Sequence, residues 1–306
     1  MNPVLKRTLC GLGVGALVIG LFLYCPLLWL MPVILLLSTL VQMEFYQMAK
    51  RKYEPVAWFG LLMGAAWMVC AGWLGGGTVF NLLMLFASLV PFMLVSLALL
   101  CLLVLFSSHR RNPVGTIAVT MLGFLYVPFL LSFFLLTVQL SGLPLQTPSA
   151  EVSRVGLYTL FALIAVSKLS DTGGFAFGMA FGRHKMCPSI SPKKSWEGLF
   201  GSMLFSSAAA AGMLAVARHF AWGGELAVWN RLNYPSALAV GAFMALVATV
   251  CDLIESRFKR EFEIKDSSPF LPAGMGGLLD MFDSVLFIPA MVYPFLAFLV
   301  HSFPVE

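Results

Sequence analysis

The chain has 306 residues, 60% of them hydrophobic and 11% charged, with a mean hydropathy of +0.91 and a net charge of +5. This composition, with 27 Phe and 17 Met, excludes an ordinary soluble domain and defines a polytopic membrane protein. On such a chain a modest positive charge reports orientation and gives no reason to expect nucleic-acid binding.

Nine apolar runs are predicted to span a bilayer, at about 8–24, 27–42, 56–74, 79–106, 114–137, 155–180, 198–217, 235–254 and 281–302. The first follows Lys6 and Arg7 as a signal peptide would, but further spans follow and no A-x-A-like site is evident, so it is expected to stay as a helix. The first two spans share a tight turn at Cys25 and Pro26. The cysteines (Cys10, Cys25, Cys70, Cys101, Cys187 and Cys251) show no CxxC and no paired spacing, so neither disulfides nor structural zinc is expected. With the N-terminus in the cytoplasm, fifteen basic residues fall on the inner segments: Lys6, Arg7, Lys50, Arg51, Lys52, Arg110, Arg111, Arg183, Lys185, Lys193, Lys194, Arg257, Lys259, Arg260 and Lys265. Only Arg154, Arg218 and Arg231 fall outside, a strong positive-inside bias. The odd number of spans then puts the C-terminus outside.

The expected fold is all-α, a single membrane-embedded domain over 1–306 with no internal repeat. Residues 1–150 read as apolar, lipid-facing scaffold and residues 155–302 as the helices that carry polar chemistry. That chemistry lies in three islands. The first, "SKLSDTGGFAFGMAFGRHKMCPSISPKKSWEG", puts Lys168 and Asp171 in or near the sixth span, where charges pair or line a watery cavity. Gly173, Gly174 and Gly178 suit close helix packing through small residues. Its loop from Arg183 to Lys194 is basic, which a bland reading assigns to orientation and anionic headgroups. Pro192 is expected to set a turn, with Lys193 and Lys194 just before a new helix, where helix N-terminus and lysines together favour phosphate.

The second island, "CDLIESRFKR", lines up Asp252, Glu255, Ser256 and Lys259 at helical spacing. Its plain reading is a solvated helix end with Glu255 supporting Lys259. The third, "KDSSPFLPAGMGGLLDMFDS", has a Pro/Gly turn and then a helix whose first turns carry Asp280 and Asp283 on one face. One acid there would merely complement the helix dipole. Two beside lysines suit a hard cation such as Mg²⁺, which takes oxygen ligands and bridges carboxylates to phosphates. The predicted topology brings all three islands to the cytoplasmic interface, a pattern suited to phosphate chemistry on a lipid. No P-loop, HExxH, GxSxG or kinase motif is present, and the four histidines show no metal-ligand spacing.

At these residues the chain resembles the phosphatidate cytidylyltransferase (CDP-diacylglycerol synthase) family. The family signature runs S-x-x-K-R, K-D, a Pro/Gly turn with H-G-G, then D-R-x-D-S. Ser256, Lys259, Arg260, Lys265, Asp266, Gly276, Gly277, Asp280, Asp283 and Ser284 match it in order. "CDLIES" is similar to the family's G-D-L-x-E-S with Cys251 for Gly, and "DTGGFAFG" and "SPKKSWEG" resemble upstream family stretches. The resemblance is detailed over roughly 165–290. This chain departs from the signature at Met275, where the family has His, at Met281, where it has Arg, and in a turn one residue longer.

The resemblance implies transfer of CMP from CTP to phosphatidic acid, giving CDP-diacylglycerol and pyrophosphate; the compact loops and the absence of a transit peptide lead to the expectation of a multi-pass protein of the inner (plasma) membrane. It implies that Asp252, Asp280 and Asp283 carry one or two Mg²⁺ ions, with Lys259 also catalytic. Ser256, Arg260, Lys265, Asp171, Lys193, Lys194 and Glu197 would bind or line the substrate site, and Asp266 would orient a lysine. A homodimer is compatible with such a chain. Two other readings remain: an impaired homologue that binds lipid or nucleotide without turnover, and a transporter of an anionic solute.

Overall fold

A computed structural model describes residues 27–74, 79–107, 112–140, 154–219, 232–264 and 277–302. These form eight helices: α1 (Leu27–Ala49), α2 (Ala57–Leu74), α3 (Val79–Leu105), α4 (Pro113–Val138), α5 (Arg154–Phe181), α6 (Trp196–His219), α7 (Tyr234–Glu261) and α8 (Leu278–Ser302). Seven are long and apolar enough to cross a bilayer, and α2 is slightly shorter. The chain is therefore an all-α polytopic membrane protein. The expected first span, 8–24, lies outside the described residues. The second is longer than expected: α1 runs on past 42 to Ala49 and carries Gln42, Glu44, Phe45 and Tyr46 into the protein interior.

Local chemistry sets the helix ends. Asn112 caps α4 by accepting from the Gly115 amide at 2.9 Å, with Pro113 in the first turn. Asn233 does the same for α7 through Ser236 at 2.8 Å. α7 stops in a Schellman arrangement, in which the Ile264 amide donates to the Lys259 carbonyl at 2.9 Å. Glu263 takes the left-handed position at φ 58°, where glycine is the usual choice. Pro128 cannot donate to the helix ladder, and α4 accommodates it with a π-helical turn over Leu125–Phe129.

Two aromatic-rich clusters hold the bundle. One packs Trp67, Phe124, Phe133, Tyr293 and Leu296 from α2, α4 and α8. The other joins Phe45, Tyr126, Phe258, Phe262, Leu279 and Leu286 from α1, α4, the end of α7 and the start of α8. Hydrogen bonds reinforce the packing where lipid offers no partner: Gln42 Nε2 donates to the Gly60 carbonyl at 2.9 Å and the Tyr46 hydroxyl to the Thr120 carbonyl at 2.8 Å.

The α5–α6 seam is built from small residues, in agreement with the packing reading of Gly173 and Gly174. A Cβ on Gly173 would lie 2.6 Å from the Gly201 carbonyl oxygen, and Ser202 Oγ donates to the Ser170 carbonyl at 3.0 Å. α7 joins α6 in the same manner, with Ser206 Oγ donating to the Gly241 carbonyl at 2.7 Å. Between α5 and α6 the chain makes an antiparallel hairpin, β1 (Lys185–Cys187) with β2 (Ser191–Ser195). This corrects the reading of Pro192 as a turn residue. The turn falls at residues 188–190, and Pro192 is exposed in a two-stranded ribbon, where its missing N–H is tolerated.

Candidate active site

The hairpin, the end of α7 and the start of α8 meet at one end of the bundle. The basic α1–α2 turn lies at the same end, because Lys52 Nζ and the Tyr53 hydroxyl reach Glu261 Oε1 at 2.6 and 2.9 Å. That contact stabilises the charged form of Lys52 and raises its pKa above the usual lysine value.

Four carboxylates and two lysines form the centre. Asp252 and Glu255 stand three residues apart on α7, so their side chains share a face. Asp283, from the second turn of α8, points toward them, and carboxylate oxygens of Asp252, Glu255 and Asp283 lie within 4.8 Å of one another. Lys194 at the end of β2 donates to Asp252 Oδ2 at 2.5 Å and to the Thr249 carbonyl at 3.0 Å. Lys259 bridges the two helices, 3.0 Å from Glu255 Oε1 and 2.6 Å from Asp280 Oδ1. Asp280 also closes the first turn of α8, its Oδ2 accepting from the Gly277 amide at 3.1 Å.

Of the predicted residues, the structure thus brings together Asp252, Asp280, Asp283, Lys194 and Lys259. The i,i+4 pair between Glu255 and Lys259 forms as the sequence suggested, but Glu255 is no solvated helix end. It is 1% exposed and belongs to the cluster, a placement that helical spacing permits and only α8 packing creates. Glu197, in the first turn of α6, accepts from the His184 amide at 3.1 Å and contacts His184 Nδ1 at 2.6 Å. His184 had no assigned role in the sequence, and here it ties the hairpin to α6. Lys168 and Asp171 form an exposed i,i+3 pair at 3.5 Å, and Lys168 also donates to the Met281 carbonyl at 3.3 Å. Ser256 is half-buried on α7, and Lys193 and Arg260 are exposed. Lys265 and Asp266 lie outside the described residues, as does Met275.

The donor set suits a hard divalent cation. Three carboxylates supply only oxygen, one is buried, and a lone buried acid is costly unless paired or metal-bound. Oxygens sharing an octahedral Mg²⁺ stand roughly 3–4 Å apart, so small rotations bring this trio to ligating distance.

Membrane-crossing helices with a lysine-flanked acidic cluster at one end define a multi-pass membrane protein. The chain belongs to the Cytidylyltransferase family, whose profile matches residues 5–299. It is similar to phosphatidate cytidylyltransferases from Staphylococcus epidermidis (40% identical over 139 residues, 45% of this chain and 48% of the relative). It also matches those of Staphylococcus haemolyticus (36% over 157 residues, 51% and 55%) and Staphylococcus aureus (37% over 138 residues, 45% and 48%). The chain spans about half the length of these curated relatives.

Proposed function

We propose that the protein transfers CMP from CTP to phosphatidic acid at the cytoplasmic face of the plasma membrane. The observation that carries this reading is the acidic cluster of Asp252, Glu255 and Asp283 with Lys194 and Lys259 at its edge, in a chain of the Cytidylyltransferase family. The positive-inside bias supports a cytoplasmic position for that end.

A phosphate oxygen of phosphatidic acid attacks the α-phosphorus of CTP. A new P–O bond forms, the bond from the α-phosphorus to the bridging oxygen breaks, and pyrophosphate leaves with the electron pair. The attacking phosphomonoester has its second pKa near 6 and is largely dianionic at neutral pH, so no strong general base is needed. The difficulty is the approach of two polyanions and the charge that grows on the leaving group. A bound divalent cation would supply charge neutralisation and alignment of phosphate oxygens. Asp252, Glu255 and Asp283 would hold it, with Asp280 beside them. In the structure Lys194 and Lys259 each lie against a carboxylate. On substrate binding they are placed to donate hydrogen bonds to phosphate oxygens instead, at the rim of the cluster. The hairpin, fixed by Glu197 and His184, holds Lys194 in place. Lys168 sets an amine beside residue 281, where the family signature has Arg and this chain has Met, which favours an active enzyme over an impaired homologue. Asp171, Ser256 and Arg260 complete the proposed substrate surface, and family membership argues against a transporter.

The test is pyrophosphate release from CTP by purified protein in mixed micelles. Release is expected only with both phosphatidate and Mg²⁺ present, and Asp280→Asn is expected to abolish it at unchanged yield of folded protein. Activity retained by Asp280→Asn, or release without phosphatidate, would end this assignment.

A further inference from the structure

Glu44 is the sole acidic residue of α1, and it is completely buried. Its Oε2 accepts from the backbone amide of Leu279, itself fully buried, at 3.2 Å. The partners are 235 positions apart in the chain.

The first N–H groups of any helix lack intrahelical acceptors, and at a dry helix start water does not replace them. An N-cap side chain ordinarily serves one of them. α8 begins after Gly277, which has no side chain to offer. Two carboxylates fill the gap. Asp280 turns back to the Gly277 amide, and Glu44 reaches across from α1 to the Leu279 amide. A carboxylate is well suited to this, since its charge strengthens the hydrogen bond and complements the positive end of the helix dipole.

From this geometry, and building on the function proposed above, we infer that Glu44 is a positioning residue for the acidic cluster. It caps α8 from another helix and so fixes the height and rotation of the turns that carry Asp280 and Asp283 against Asp252 and Glu255. Phe45, next to Glu44, packs edge-on against Phe258 and Phe262 at the end of α7, in the same apolar cluster as Leu279, and so holds α1 against this end of the bundle. Glu44→Gln keeps an oxygen acceptor in place and is expected to be mild. Glu44→Leu preserves bulk and removes the acceptor.

The experiment compares wild type, Glu44→Gln and Glu44→Leu as full-length protein in detergent. Three readouts are taken: hydrogen exchange of the amides over 277–284, binding of Mn²⁺ followed by electron paramagnetic resonance, and pyrophosphate release. In wild type the Leu279 amide is expected to exchange as slowly as amides within α8. Glu44→Leu should speed exchange in that first turn and weaken Mn²⁺ binding by about 10-fold or more, the scale seen when a ligand's supporting group is lost. Glu44→Gln should stay within roughly a factor of two to three of wild type in both, since the acceptor remains. A folded Glu44→Leu with wild-type exchange and Mn²⁺ binding overturns the inference. So does a Glu44→Gln protein as impaired as a folded Glu44→Leu, and so does rapid exchange of Leu279 in wild type, which decides the matter even when Glu44→Leu does not fold. Wild type that neither binds Mn²⁺ nor releases pyrophosphate sinks the parent function as well, which sets that failure apart from the failure of the anchor alone.

Discussion

Helices α1–α4 are more apolar than α5–α8, and the two sets place their polar groups differently. In α1–α4 these groups are mostly buried and consumed internally: Gln42 on the Gly60 carbonyl, Tyr46 on the Thr120 carbonyl, and Trp67 Nε1 on Ser132 Oγ at 3.2 Å. In α5–α8 and the hairpin between them, most of the described charged groups gather at one end, where Lys194, Lys259, Asp252, Glu255, Asp280 and Asp283 face one another across three separate elements. Polarity acts as glue in the first set and as a reactive surface in the second. Glu44 crosses the division, since it belongs to the first set and serves the second.

The comparison holds only if substitutions in the two sets fail in different ways. The largest effect is expected from Lys259→Met, which leaves Glu255 and Asp280 without their shared cation. A loss of about 3–5 kcal/mol is expected for breaking such a buried pair, read as a lowered unfolding midpoint together with lost activity. Gly201→Leu forces α5 and α6 apart and should cost about 1–3 kcal/mol of stability, while half-saturation by CTP in the surviving folded fraction stays near wild type. Lys168→Met should raise the phosphatidate requirement about 10-fold, the scale of one charge-assisted hydrogen bond. Adding Met281→Arg to it should restore most of the loss, and failure to do so would show that the charge beside residue 281 is not what matters. Tyr46→Phe should cost only about 0.5–1.5 kcal/mol, seen in thermal unfolding and absent from the turnover of folded protein. A Tyr46→Phe enzyme that is fully stable but slow would break the division.

The sequence made the membrane class and most helices legible because hydropathy reports them directly. It also placed Asp252, Asp280, Asp283, Lys194 and Lys259 in one region, since helical spacing and the resemblance both bear on short-range order. Glu255 was visible as part of a stripe, but whether it meets solvent or α8 depends on packing between helices, which periodicity does not encode. Glu44 was harder still. It lies just beyond the expected end of its span at 42, and nothing local signals a partner in the last helix. Lys265 and Asp266 remain expectations from the resemblance.

The surroundings of α4 bear on how such a chain is assembled. Its composition suits a bilayer, yet 83% of its most apolar stretch is covered by protein, against 17% for α3. Side chains that finish among other helices do not need to satisfy lipid in the finished molecule. They need to do so earlier, when a lone segment leaves the insertion machinery and must rest in hydrocarbon before its neighbours arrive. The greasiness of α4 thus fits a requirement of biogenesis, and the proline-centred turn at Leu125–Phe129 is sheltered from both sides of the chain, with Pro128 against Gly64 of α2 and Tyr126 against Phe258 and Phe287 of α7 and α8.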